Sequence, residues 1–335
     1  MPPFGFLCCN KPRGMTSRDV VNVVQRRLPG KTKVGHAGTL DPLAEGVLVL
    51  GVGPAVRLVP YVQQQPKHYQ ATFRLGSSSI SGDLEGEISE FPDLPVPTRE
   101  QLDHAARGLI GNIEQVPPAH SAIWVDGRRA YERIRAGEEF EMPSRRVQIH
   151  ALDITRYEFP EIDLNIVCGS GTYIRTLGID LAVTVGSTAV MSFLSRVGIG
   201  PFLLQDSVSL KTLREGELEP HLLATSLAVP HLPRLTVNEA DVVRLGHGLC
   251  LDDPLISNSP DNTKDGLSKS DATTEADAIT EADAITEHDA ITEHDAITEH
   301  DAITEAAAMT EDGQLRAIVR PKRGHWCPYR VFPIT

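Results

Sequence analysis

The sequence predicts an α+β protein: a mixed, largely antiparallel sheet with helices, followed by a smaller β-rich domain. Strand-like and helix-like segments succeed one another, but without the regular spacing of parallel βαβ units. The strand-like segments alternate apolar and polar side chains, as half-buried antiparallel strands do. The 335 residues, 41% of them hydrophobic, suffice for one large core and a second small one.

The elements follow in order. "RDVVNVVQRRL" puts Val20, Val24 and Leu28 on one helical face, after Thr16-Ser17 as a cap. "KVGHAGTLDPLAEGVL" runs from Lys33 to Leu48. Asp before Pro, with Glu45 in the first turn, is how many helices begin, so Asp41 is expected to cap one. "GVLVLGVG" is a short apolar run, expected as a buried strand. "KHYQATFRLG" turns Tyr69, Ala71, Phe73 and Leu75 one way and its polar residues the other. Thr98 and Gln101 in "PTREQLDHAARGL" form a capping box ahead of a helix. "EIDLNIVC" alternates as a strand, and passes through "GSG" into the helical "TYIRTLGIDLAVTV". Beyond Leu232 lie a helix-like piece, "LPRLTVNEADVVRLGHGLCL", and an alternating basic one, "QLRAIVRPKRGHWCPYRVF". The expected domains are 1–232 and 233–335.

Composition narrows the class. No run of eighteen apolar residues is present, so no membrane span is expected. The start, "MPPFGFLCCNKPRG", lacks the charged-then-apolar order of a signal peptide. Cys8, Cys9, Cys168, Cys250 and Cys327 are odd in number and contain no C-x-x-C. That fits a reduced cytoplasmic protein without a zinc site. The net charge of −13 is concentrated: residues 252–312 hold 18 acidic residues and two lysines, a net −16. The remainder carries +3, which allows a polyanionic partner.

The acidic stretch contains a hexad repeat, TEADAI, TEADAI, TEHDAI, TEHDAI, TEHDAI, TEAAAM, over 274–309. A six-residue step turns a helix by about 600°, so successive Ile residues face three directions and build no apolar stripe. His288, His294 and His300 share no helical face either. Residues 252–312 are therefore expected to be a low-complexity insertion that interrupts the small domain.

Several residues carry chemistry in one reading and structure in another. Arg175, in "GSGTYIRT", falls at the first turn of a helix, where the macrodipole disfavours a cation. It either makes a structural ion pair or holds a carboxylate ionised. Tyr69 lies on the apolar face of its strand, as a core residue or as a ring on which a base stacks. Tyr173 on the Gly-rich loop poses the same choice, and His36 stands near two glycines in a loop. Arg128, Arg129, Arg133, Arg135, Arg145 and Arg146 cluster within nineteen residues, interleaved with glutamates. They form a solvated face or a phosphate-contacting loop.

Five motifs in order, "LCCNKPRGMTS", "GHAGTLDPLAEGVL", "KHYQATFRLG", "GSGTYIRTLGIDLA" and "FLSRVGIGPF", resemble the TruB family of tRNA pseudouridine synthases. The resemblance covers roughly 4–232. The C-terminal pieces resemble a PUA-type RNA-binding domain. It implies a pseudouridine synthase core with an RNA-embracing insertion at about 117–149, and a reaction that needs no metal and no cofactor. Uracil is detached from its ribose, turned and rejoined through C5, in the TΨC loop of tRNA at position 55.

By this resemblance Asp41 is the catalytic nucleophile, with attack open at either C1′ of the ribose or C6 of the base. Arg175 pairs with it. Tyr69 stacks on the flipped base and is a candidate general base. His36 fills space vacated by flipped nucleotides. Tyr173 and Leu194 match substrate-pocket positions, and Lys11 and Pro12 match a supporting motif. Where the family often has Leu-Arg-Arg, this chain has Leu194-Ser195-Arg196, one phosphate contact fewer. A monomer acting on tRNA in the cytoplasm is expected. Two other readings are a tRNA-folding chaperone without catalysis and a guide-RNA-dependent synthase.

Overall fold

The computed structural model describes residues 4–118, 142–251 and 304–333, and the backbone of 124–125, 128–129 and 256–257. The chain divides into two compact units: Met1–Val229 with Phe332–Thr335, and Pro230–Val331.

In the large unit β1 (Gly5–Lys11), β2 (Val34–His36), β3 (Glu45–Val52) and β4 (Lys67–Leu75) share a sheet with β7 (Gly111–Gln115), β10 (Arg145–Glu158), β11 (Glu161–Cys168), β12 (Ala189–Ile199), β13 (Phe202–Leu203) and β14 (Val208–Ser209). Two short hairpins stand outside it: β5 (Ser77–Ser79) with β6 (Ile88–Glu90), and β8 (Trp124–Val125) with β9 (Arg128–Arg129). The ten strands run in the order β14-β1-β3-β12-β4-β11-β10-β7, with β2 on β3 and β13 on β12. Only β1–β14 and β3–β12 are parallel, so the sheet is mixed and largely antiparallel.

The helices seal this sheet. α1 (Ser17–Gln25) starts at a capping box between Thr16 and Asp19. It buries Val20, Val21 and Val24 in a cluster with Leu7, Leu48 and Leu213. α2 (Val59–Gln64) leads into β4. α3 (Arg99–Gly108) has the capping box of Thr98 and Gln101. α3 and α4 (Ile174–Thr184) cover the other core with Leu102, Leu177 and Leu181 against Phe73, Ile149 and Ile166. Gly178 lets α4 sit directly on β4, because a Cβ there would stand 2.1 Å from the Phe73 ring. α5 (Leu210–Glu215) completes the unit.

One expectation fails at a decisive place. No helix starts at Asp41. Asp41 to Ala44 form a tight turn, closed by the Ala44 N–H donating to the Asp41 carbonyl at 3.0 Å, and β3 begins at Glu45. Proline suits the second position of such a turn as well as a helix start. The apolar residues that follow pair with β1 over seven positions and are buried, and this strand pairing outweighs the helix signal.

In the small unit β15 (Arg234–Thr236), α6 (Glu239–Gly246), β16 (Ile256–Ser257), β17 (Ala306–Met309), β18 (Leu315–Lys322) and β19 (His325–Val331) form a sheet ordered β16-β15-β17-β18-β19 with one helix. Arg323 and Gly324 both have positive φ (53° and 80°) and make the two-residue turn between β18 and β19.

Two corrections belong here. The stretch 252–312 was expected to lie outside the sheet, yet Ile256–Ser257 pairs with β15, and Ala306–Met309 pairs with β15 and β18. The last repeat unit replaces His-Asp-Ala-Ile by Ala-Ala-Ala-Met, and small apolar side chains fit a buried central strand. The rest of the repeat, with its three histidines, lies outside the described residues, as do Arg133 and Arg135. The cysteines were expected to be unpaired, but Cys250 and Cys327 form a disulfide across 77 positions. Leu251 and Trp326, between them in the fold, exchange backbone hydrogen bonds of 2.8 and 3.2 Å, which brings the flanking cysteines face to face. Cys8, Cys9 and Cys168 are buried thiols.

Candidate active site

The turn carrying Asp41 opens into a cavity of about 490 Å³ that Tyr69, Tyr173, Arg175, Leu194 and Arg145 also line. The Asp41 side chain is 50% exposed, so its carboxylate faces the cavity. Arg175, the second residue of α4, donates from Nη2 to Asp41 Oδ2 at 2.7 Å. Its other nitrogen, Nη1, meets Asp83 Oδ2 at 2.9 Å and the Ser81 carbonyl at 2.6 Å. Asp83 is itself held, by the Ser81 hydroxyl at 2.6 Å and the Glu85 N–H at 3.1 Å. One buried guanidinium thus spans two carboxylates: the buried one fixes its plane, and the half-exposed one is aimed at the cavity.

The segment around Asp41 is clamped from three sides. Arg196, 1% exposed, donates from Nε to the Val47 carbonyl at 2.8 Å and from Nη2 to the Gly38 carbonyl at 3.0 Å. The Ser17 hydroxyl donates to the Leu40 carbonyl and accepts from the Leu40 N–H. The Gly14 N–H donates to the Pro42 carbonyl at 2.7 Å. Gly46 (φ 101°) permits the crossing of β3 and β12, since a Cβ there would stand 2.3 Å from the Arg196 carbonyl oxygen. Lys11, fully buried, ties the preceding loop together by donating to the Pro12 and Met15 carbonyls at 3.1 and 2.6 Å. Lys11 and Pro12 therefore act on the Asp41 turn through Gly14.

Tyr69 sits across from Arg196 in the β4–β12 ladder. Burial pushes its phenol above the ordinary value, and the Arg196 guanidinium works the other way. The ring enters the site protonated at neutral pH. Tyr173 caps α4, and the buried Gln115 amide holds it, accepting from its N–H at 3.0 Å and donating to its carbonyl at 3.3 Å. Arg145 lies over the Tyr173 ring at 4.4 Å. His36 is not among the cavity's lining residues. It is the last residue of β2, opposite Leu50, and burial with the nearby Arg18 and Arg196 charges keeps its imidazole low, hence neutral. Among the described residues no group of three His, Cys, Asp or Glu is placed to hold a metal ion.

Burial also lowers Lys11 and Lys67 to about 8 each. Between pH 8 and 10.5 the unfolded chain then binds more protons than the folded one, so stability rises with pH. Burial raises all three buried thiols, Cys8 to about 12, Cys168 to about 11 and Cys9 as well, and together they outweigh that gain above the ordinary thiol value near 9. The urea midpoint of the protein is expected to climb by the equivalent of about 1 kcal/mol from pH 7 to 9 and to fall beyond it. A midpoint that falls steadily over that window would contradict the buried, depressed lysines.

Asp83 and Gln115 were not among the residues singled out from sequence; Ser17 was read only as a helix cap and Arg196 only as part of a phosphate-contacting motif, whereas here they hold the backbone of Leu40, Gly38 and Val47. Asp83 stands in "SSSISGDLEG", which reads as a polar turn. A signal for Arg196 was present: an arginine in an apolar strand needs a reason to be there.

The fold has known counterparts. The structure of a Cbf5-Nop10-Gar1 complex contains a chain that matches 99% of this one over 84% of its own length, with a TM-score of 0.66 and 20% identity. An H/ACA RNP bound to a substrate RNA containing 2′-deoxyuridine matches with a TM-score of 0.65 and 20% identity, over 99% of this chain and 86% of that one. At such identity these establish the architecture: a mixed-sheet core with a β-rich C-terminal unit. Residues 26–174 match the model of the TruB family pseudouridylate synthase N-terminal domain. A tRNA pseudouridine synthase B of Rhodopirellula baltica is 40% identical over 99% of this chain and 96% of its own length. One from Synechocystis is 43% identical over 73% of this chain and 84% of its own length. The chain belongs to the TruB family of pseudouridylate synthases.

Proposed function

We propose that this protein converts uridine to pseudouridine at position 55 in the TΨC loop of free tRNA, with Asp41 as nucleophile on a base flipped out of its stack. The half-exposed Asp41 carboxylate, aimed into a nucleotide-sized cavity by an otherwise buried arginine, carries this reading. Catalysis of this kind needs a positioned nucleophile and a pocket that accepts an extruded base. Arg175 orients Asp41, Tyr69 and Leu194 sandwich the uracil, and Tyr173 closes the pocket wall. The Asp41 carboxylate bonds to C1′ or C6, the N1–C1′ bond breaks, the base turns, the C5–C1′ bond forms, the bond to Asp41 is released, and a proton leaves C5 for solvent while N1 takes one up. The chain acts alone in the cytoplasm, where the Cys250–Cys327 pair is open to reduction.

The test is an unmodified tRNA transcript tritiated at C5 of its uridines. Stoichiometric tritium release is expected, and none from a transcript with cytidine at position 55. Release that persists with cytidine there would overturn the site assignment. Tight binding with no release from any tRNA would favour a chaperone.

A further inference from the structure

Four cations, Lys67, Arg145, Arg175 and Arg196, line the cavity. Three have their donors engaged by the protein. Arg175 serves Asp41, Asp83 and the Ser81 carbonyl. Arg196 serves backbone carbonyls of 38, 39 and 47. Lys67 donates to the Gln63 carbonyl. Arg145 differs. Its guanidinium lies over the Tyr173 ring, its Nε is buried without a hydrogen-bond partner, and among the described residues no carboxylate lies within ion-pair distance. Gly171 leaves room for it, with its Cβ direction 3.4 Å from Arg145 Cζ.

Arg145 is partly exposed, but its Nε is shut off from water without an acceptor, so an anion that brings acceptors to this guanidinium is favoured there. Uracil and ribose are neutral, so within an RNA substrate only a phosphodiester supplies that charge. A planar fork held over a ring can present its N–H groups to a phosphate in the paired geometry that arginine favours. We infer that Arg145, stacked on Tyr173, is the anchor for a phosphodiester flanking the flipped nucleotide. The inference rests on the proposed RNA substrate. It singles out one arginine from the basic cluster: Arg146, next in β10, faces a separate groove with Gln148 and His150. The Gln115 clamp on Tyr173 makes the platform rigid, so the arginine is preset before RNA arrives.

The experiment uses the full chain and a TΨC stem-loop in which single phosphates are replaced, one at a time, by neutral methylphosphonates. At one phosphate adjoining the target uridine, the unaltered protein is expected to lose roughly tenfold in KM, with kcat little changed. Arg145→Gln is expected to show the same roughly tenfold loss on the unmodified stem-loop and no further loss at that phosphate. Its plot of log affinity against log salt should be shallower by about one. Arg145→Lys should recover part of the affinity, and Arg146→Gln should remain sensitive to the same methylphosphonate. Should Arg145→Gln and the unaltered protein lose equally at every phosphate, the anchor is wrong even though the enzyme is active. If the unaltered protein binds and turns over no stem-loop, the RNA-modifying reading itself fails.

Discussion

Asp41→Asn is expected to lower turnover on the order of 10⁵-fold, to the limit of detection, while the protein remains folded. Asparagine keeps the shape and can still accept from Arg175 Nη2, so the turn and the guanidinium stay in place. What is lost is the anionic oxygen proposed to attack. Because the Asp41 side chain is half exposed, its ion pair contributes little to folding, and stability should change by less than about 1 kcal/mol. Tritium release under single-turnover conditions and a urea unfolding curve decide the matter together. Turnover within tenfold of the unaltered protein would remove Asp41 from the chemistry.

Asp83→Ala is expected to damage both stability and rate. Its carboxylate and the Arg175 guanidinium are 5% and 9% exposed, so removing Asp83 leaves a buried guanidinium balanced only by the half-exposed Asp41. Breaking such a pair costs about 3–5 kcal/mol. Arg175 would then rotate toward its remaining partner, and Asp41 would lose the rigid guide that aims it. Misplacement of a reacting group by about 1 Å costs roughly 10²-fold in rate, so kcat should fall by about that factor with KM little changed. Asp83→Asn, which keeps the hydrogen-bond shape but not the charge, should lie between. A kcat for Asp83→Ala within threefold of normal would show that Arg175 needs no second carboxylate to orient Asp41.

These two aspartates divide what could be read in advance from what could not. Asp41 sits in a quotable motif, and its importance followed from the motif's resemblance to a family. Its local structure did not follow: Asp-Pro starts helices and turns alike, and the β1–β3 ladder chose the turn. Asp83 has no motif of its own among serines and glycines. It matters because the loop after β5 folds over α4 and places its carboxylate on Arg175.

Local pattern was enough where neighbours in sequence settle the outcome. The alternation of β4 gave Tyr69, Ala71, Phe73 and Leu75 as its buried face, and the capping boxes of α1 and α3 lie where Thr16 and Thr98 put them. Hydrophobic period and cap chemistry act over a few residues, so the sequence by itself determined the α+β class, most of these elements and the candidate nucleophile with its arginine. The tertiary structure alone decided which partners meet: Asp83 behind Arg175, Arg196 beneath Gly38, Cys250 against Cys327, and the last repeat unit as a core strand. Those pairs are separated by 77 to 158 positions, or depend on a strand made buried by its neighbours. Contacts at that distance are set by sheet order and packing, and no periodicity along the chain encodes them.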